Sequence, residues 1–244
     1  MTKLRVPSLQ HLARNWRATS MGVKRVLVAL ALDPPNFTYK PLYSAIHDLL
    51  VLRQSYEQIV EGIRRGVKRE RVQSNLLSIL PLIRDYFDGV NPSFVQAVDR
   101  RFYPVGRDLL VPFDPPLIYG VGGQIHFPWF SFWRSNPLKD ETLALFVTMV
   151  EELLLQDPDL EAARFTILDF SAPKPKAPRR LTLIDARDIP RITPERKAEM
   201  LAIFVDGFQL AEAELAGAPR PSDDKRPGRG DAADGQGDLF DNPP

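Results

Sequence analysis

The sequence predicts an α+β fold: a helical N-terminal half, a small antiparallel sheet region with flanking helices, and a disordered C-terminal segment. Three observations carry this. Apolar residues recur at helical spacing through the first 90 residues. From about Arg101 the pattern changes to short aromatic and β-branched runs broken by Gly and Pro, as in strands and hairpins. From Gly217 onward, ten of the 28 residues are Gly or Pro, and no large apolar residue appears until Leu239. A segment of that composition cannot bury enough surface to offset its ordering entropy. The expected regions are therefore 1–90 (helical), 91–216 (α+β, packed with the first) and 217–244 (disordered).

The elements follow in order. "VLVALAL" at 26–32 is the longest apolar run, too short to span a bilayer, and is expected to be a buried helix. "KPLYSAIHDLLVLRQSYEQIVEGIRR" places Leu42, Ile46, Leu49 and Leu50, then Ile59, Val60 and Ile63, at helical intervals. "RERVQSNLLSILPLIRDYF" repeats the pattern with Val72, Leu76, Leu77, Ile79 and Leu80, and Pro81 kinks or restarts the helix. Gly66 separates these two segments, and "DGVNP" ends the helical region. "RFYPVGRDLLVPF", "PLIYGVGG" and "QIHFPWFSFW" are strand candidates, with "VGG" as a turn. "KDETLALFVTMVEELLLQD" returns to helix after Pro137, and "ARFTILDFSA" and "RRLTLIDAR" are two more strands joined by a Pro/Lys-rich connection at 173–178. "TPERKAEMLAIFVDGFQLAEAELAG" is a final helix that Thr193 can cap, with Pro194 in its first turn and Gly217 at its end.

The totals exclude much chemistry. With 244 residues and 44% hydrophobic content, the chain can build one large or two small domains. Lys plus Arg is 32 against 31 for Asp plus Glu, so overall charge selects no partner. There is no cysteine, hence no disulfide, thiolate metal site or cysteine nucleophile. His11, His47 and His126 are not spaced as metal ligands, which argues against a zinc enzyme or a Ser-His-Asp hydrolase. No phosphate-cradling loop is present, and no cofactor is implied. The polar start does not resemble a signal peptide, so the expected location is the cytoplasm.

Two weaker constellations remain. Residues 55–80 loosely suggest a helix-turn-helix, in which Arg64, Arg65, Lys68, Arg69 and Arg71 would face DNA phosphates; a solvated basic face is the plainer alternative. A Mg²⁺-dependent nuclease would need carboxylates on adjacent strands. Asp169 and Asp185 are candidates, with Glu151 or Glu152 joining and Arg187 in the lysine position, though strand-end Asp residues in turns are the plainer explanation of the pattern. Arg stays protonated and cannot act as a base. Trp129, Phe130, Phe132 and Trp133 form an aromatic cluster suited to a core or a partner interface.

The strongest motif is "QGDLF" at 236–240. It resembles the peptide by which bacterial replication and repair proteins bind the DNA polymerase sliding clamp: Gln first, then an apolar pair, often with Asp or Ser just before the Leu. Gln236, Asp238, Leu239 and Phe240 match, while Gly237 replaces the commoner Leu. Leu239 and Phe240 suit an apolar pocket, and Gln236 can donate and accept at its rim. Asn242 and Pro243 do not fit the eukaryotic clamp-binding box, which favours a bacterial clamp. The resemblance extends to SocB-like replication-inhibiting toxins. It implies a non-enzymatic protein that competes for the clamp, with a cognate antitoxin acting as proteolytic adaptor to the ClpXP protease.

Overall fold

The computed structural model describes residues 4–34 and 38–217. Within them the chain is α+β. The N-terminal part forms α1 (Leu9–Asn15), α2 (Ser20–Leu32), α3 (Lys40–Leu50), α4 (Tyr56–Gly66), α5 (Glu70–Leu77) and α6 (Leu80–Phe87). The helices are shorter than the apolar pattern alone implies because local chemistry interrupts them. Ser55 opens α4 with a capping box: its hydroxyl accepts from Gln58 N at 3.3 Å, and Gln58 Oε1 accepts from Ser55 N at 3.1 Å. Pro81 sits in the first turn of α6, so it restarts the chain rather than kinking it.

The strands are β1 (Phe94–Gln96), β2 (Arg101–Gly106), β3 (Leu109–Phe113), β4 (Ile118–Val121) and β5 (Gln124–Ser131). After α7 (Asp140–Leu154) come β6 (Arg164–Asp169) and β7 (Thr182–Asp185), then a short 3-10 turn at Ala186–Asp188 and α8 (Pro194–Gly217). Gly122 and Gly123, at φ 59° and 79°, make the β4–β5 turn that the "VGG" signal foretold. Thr193 caps α8 as expected, its hydroxyl accepting from Arg196 N at 3.3 Å.

β2 and β3 form a separate two-stranded ribbon, while the other five strands make one sheet in the order β1-β4-β5-β6-β7. The antiparallel expectation needs one correction. β5 and β6 are parallel, with Trp129 opposite Ile167 and Ser131 opposite Asp169. The reason is α7: a 15-residue helix between the two strands returns the chain to the start of the sheet, as a parallel crossover requires.

Alternation along the strands sends side chains to two different cores. Phe127, Trp129, Phe165 and Ile167 face a layer built from α1, α2, α7, α8 and the ribbon. Tyr119, Phe130, Phe132, Leu168 and Phe170 face α3, α4, α5 and α6. The helices of residues 1–90 are thus divided between both faces of the sheet, and the aromatic cluster at 129–133 is core on both sides. α7 is the central helix, apolar almost all round, with Phe146 meeting Trp129, Phe165 and Phe113.

α2 is an outer helix, which corrects the expected burial of "VLVALAL". Only Leu27 of that run is fully buried, and Leu32 is 56% exposed. α2 has α8 beneath it rather than the sheet. Trp16 Nε1 donates to Met200 O at 3.0 Å, Val23 meets Gly207, and Lys24 pairs with Glu214, so the two helices run parallel. Gly207 permits this approach: a Cβ there would lie 2.5 Å from Val23 Cβ and 2.7 Å from Ser20 O.

Candidate functional site

The clamp-type motif, Gln236, Asp238, Leu239 and Phe240, lies outside the described residues. The basic group is inside them. Arg64 and Arg65 occupy the last turn of α4, Lys68 and Arg69 the connection, and Arg71 the start of α5, and all five are exposed. The structure therefore gathers them at one turn. Gln73 Nε2 braces it by donating to Arg64 O at 3.0 Å and Val67 O at 3.1 Å, which satisfies carbonyls that the helix end leaves open. Arg65 is paired with Glu61 at 2.7 Å.

The carboxylates proposed for a metal site do not converge. In the antiparallel β6–β7 pair, Asp169 stands opposite Thr182 and Asp185 opposite Thr166. The two acids are thus offset by three positions, about 10 Å along the strand, and point to opposite faces. Asp185 is also occupied: Arg187 binds it at 2.7 and 3.0 Å, and Arg164 at 2.9 and 3.1 Å. The Arg187 hydrogen bonds hold its carboxyl well below the usual carboxylate range. Glu151 pairs with Arg191, and Glu152 with Lys197 and Tyr103. Among the described residues no group of three or more His, Asp or Glu side chains could hold a metal ion.

Asp169 instead anchors loops at the ends of the parallel strands. Its oxygens accept from Ser171 N, Ser171 Oγ and Asn136 Nδ2, each at 3.0 Å. Burial pushes its pKa up, and these bonds and the nearby Arg179 charge oppose that rise. Arg179 is itself buried. Its guanidinium donates to Phe132 O, Trp133 O and Phe170 O at 3.1, 3.0 and 2.9 Å, and to Asn75 Oδ1 of α5 at 2.7 Å. One cation thereby ties the ends of both strands to the opposite helical layer. "PRR" at 178–180 carried no periodic or motif signal for this role.

A second polar group escaped the sequence reading. Ser8, His11 and Asn15 are spaced three and four residues apart along α1 and are all buried, as are Ser131 and Trp133. The His11 ring meets the Trp133 indole edge-on, with centroids 5.7 Å apart, and the Arg14 guanidinium lies over that indole at 5.3 Å. Both His11 nitrogens, the Ser8 and Ser131 hydroxyls and Trp133 Nε1 have no hydrogen-bond partner among the described residues. Burial, and secondarily the Arg14 charge, pushes the His11 pKa down to about 3. Ser131, Asp169 and His11 share one side of the sheet, which is the composition of a hydrolase triad. The arrangement lacks a substrate path, because Ser131 is 1% and His11 0% exposed, and Asp169 is committed to Ser171 and Asn136.

No protein-family model matches this chain, and a search of curated proteins finds no match. No helix of the described residues is long and apolar enough to cross a membrane.

Proposed function

We propose that this protein is a ligand of the bacterial DNA polymerase sliding clamp, held through Gln236, Asp238, Leu239 and Phe240. The observation that carries the reading is the pairing of Leu239 and Phe240 behind Gln236 and Asp238, in a segment otherwise dominated by Gly, Pro, Asp and Ala. Burying each large side chain in an apolar pocket contributes about 1.5–3 kcal/mol. Ordering the peptide opposes this by about 2–5 kcal/mol, so the affinity is modest unless a second contact helps. Clamp partners share one pocket, and occupancy by this chain displaces the polymerase by mass action. Replication elongation stops as a result. As in the SocB-like toxins that the motif resembles, such a protein is the toxin of a toxin–antitoxin pair, restrained by an antitoxin that delivers it to ClpXP.

The test is a titration of purified clamp with the full chain and with the Leu239→Ala, Phe240→Ala double variant. The double variant should lose about 3 kcal/mol or more, a hundredfold or greater fall in affinity. Equal affinity of the two would end the proposal.

A second reading, direct DNA contact, is favoured by one observation: Arg64, Arg65, Lys68, Arg69 and Arg71 are all exposed at a single braced turn. The nuclease reading has no such support, since it needs Asp169 and Asp185 to share a cation across a sheet that separates them.

A further inference from the structure

The basic turn between α4 and α5 is one part of a larger surface. The connection from β6 to β7, residues 171–180, closes on itself, with Arg180 N donating to Ser171 O at 3.1 Å. Arg134 braces it by donating to Ala177 O at 3.1 Å. Arg179, from the same connection, donates to Asn75 Oδ1 of α5 at 2.7 Å and so fastens this loop beside that helix. Arg71 stands one turn before Asn75, about 5–6 Å away along the helix surface. Lys174, Lys176 and Arg180, all exposed, belong to the loop so fastened, and the helix that receives it leads back through Arg71 to the turn that carries Arg64, Arg65, Lys68 and Arg69. Residues 171–181 contain no acid. The acids of α4 and α5 are Glu57, Glu61 and Glu70, against five cations at residues 64–71, and Glu61 is paired with Arg65.

We propose that this composite surface, the α4–α5 turn together with the 171–180 loop, docks the phosphate backbone of duplex DNA. It rests on the DNA-contact reading of the turn and extends that reading to a second, distant stretch of chain. Backbone contact is the mode that the geometry favours over base reading. α5 is only 8 residues long, its Asn75 is held by Arg179, and its polar side chains exposed to solvent are Glu70, Arg71 and Ser74. Little is left to reach base edges, whereas separated lysines and arginines suit phosphates on neighbouring turns of a backbone. Binding is accordingly independent of sequence and steeply dependent on salt. On a clamp, which encircles duplex DNA, this face would supply the second contact that a modest peptide needs.

The experiment measures binding of the full chain to a 30-base-pair duplex by fluorescence anisotropy from 50 to 200 mM KCl. About six phosphate contacts give a slope of log K against log salt near −5. Two triple variants are compared, each at exposed positions and each checked for an unchanged circular dichroism spectrum. Lys174→Glu, Lys176→Glu, Arg180→Glu tests the loop; Arg64→Glu, Arg65→Glu, Lys68→Glu tests the turn. Each should weaken binding at least about tenfold and flatten the slope by about 2 to 3. If the loop variant binds like wild type while the turn variant fails, the composite surface is wrong and the turn alone binds DNA. If wild type does not bind, both readings fall. Equal binding to phosphatidylserine vesicles would mean generic attraction to anions and would overturn the assignment to DNA. The Leu239→Ala, Phe240→Ala variant should bind the duplex as wild type does, which separates this result from the fate of the clamp proposal.

Discussion

Replacing His11 with leucine should remove a defined part of this protein's sensitivity to acid. The wild-type imidazole is wholly buried, neither nitrogen has a hydrogen-bond partner among the described residues, and its pKa falls to about 3. In the unfolded chain the same group titrates near its ordinary value of about 6.5. The folded value lies below the unfolded one, so the unfolded state binds the proton more readily. His11 therefore places no acid penalty on folding well above pH 6.5, and stability is lost progressively as pH falls from there toward 3. Between pH 8 and pH 5 the loss amounts to about 2 kcal/mol. Leucine has nearly the volume of histidine and no polar atom to leave unpaired, so His11→Leu should match or exceed wild-type stability at pH 8. Urea titrations followed by tryptophan fluorescence at pH 8, 6.5 and 5 measure both quantities. Wild type should lose about 2 kcal/mol more than His11→Leu across that interval. Parallel pH profiles for the two proteins would show that the imidazolium finds water or a partner, and the description of a sealed, unpartnered ring would be wrong.

Other perturbations test separate parts of the fold. Arg179→Met removes the cation that serves Phe132 O, Trp133 O, Phe170 O and Asn75, and should destabilise the protein by about 2–3 kcal/mol in urea unfolding. The same variant should weaken duplex binding more than Lys174→Ala does, because it frees the whole loop rather than removing one charge. Gly207→Ala should cost about 1–3 kcal/mol despite the better helix propensity of alanine, since its Cβ would collide with Val23 and with the carbonyl of Ser20. A stability equal to wild type would mean that α2 and α8 sit further apart than described.

Much of the architecture was legible in the residues because it depends on neighbours in the chain. Helical spacing in residues 40–87, the Gly122–Gly123 turn and the cap at Thr193 are all local signals, and each appears where expected. The partial exposure of "VLVALAL" has a corresponding reason. Apolar composition shows that a helix wants cover, but α2 lies on α8, outside α7, and only one stripe of it receives that cover. The parallel β5–β6 pair was likewise hidden, since strand direction depends on where α7 returns the chain and not on the strand residues.

The candidate site divides along the same line. The exposed cations of residues 64–71 and the motif at 236–240 could be recognised at once, because charge and short-range spacing are properties of a sequence. Nothing local could show that Arg179 reaches Asn75 and fastens the loop of Lys174, Lys176 and Arg180 to α5, or that Asp169 and Asp185 are turned to opposite faces of the sheet. Nor could spacing reveal that His11 is enclosed beside Trp133. Segment type and the order of charges along the chain are local properties, readable from the residues alone. Which of those charges meet is a property of the fold, because partnership and burial arise from contacts between residues far apart in the chain.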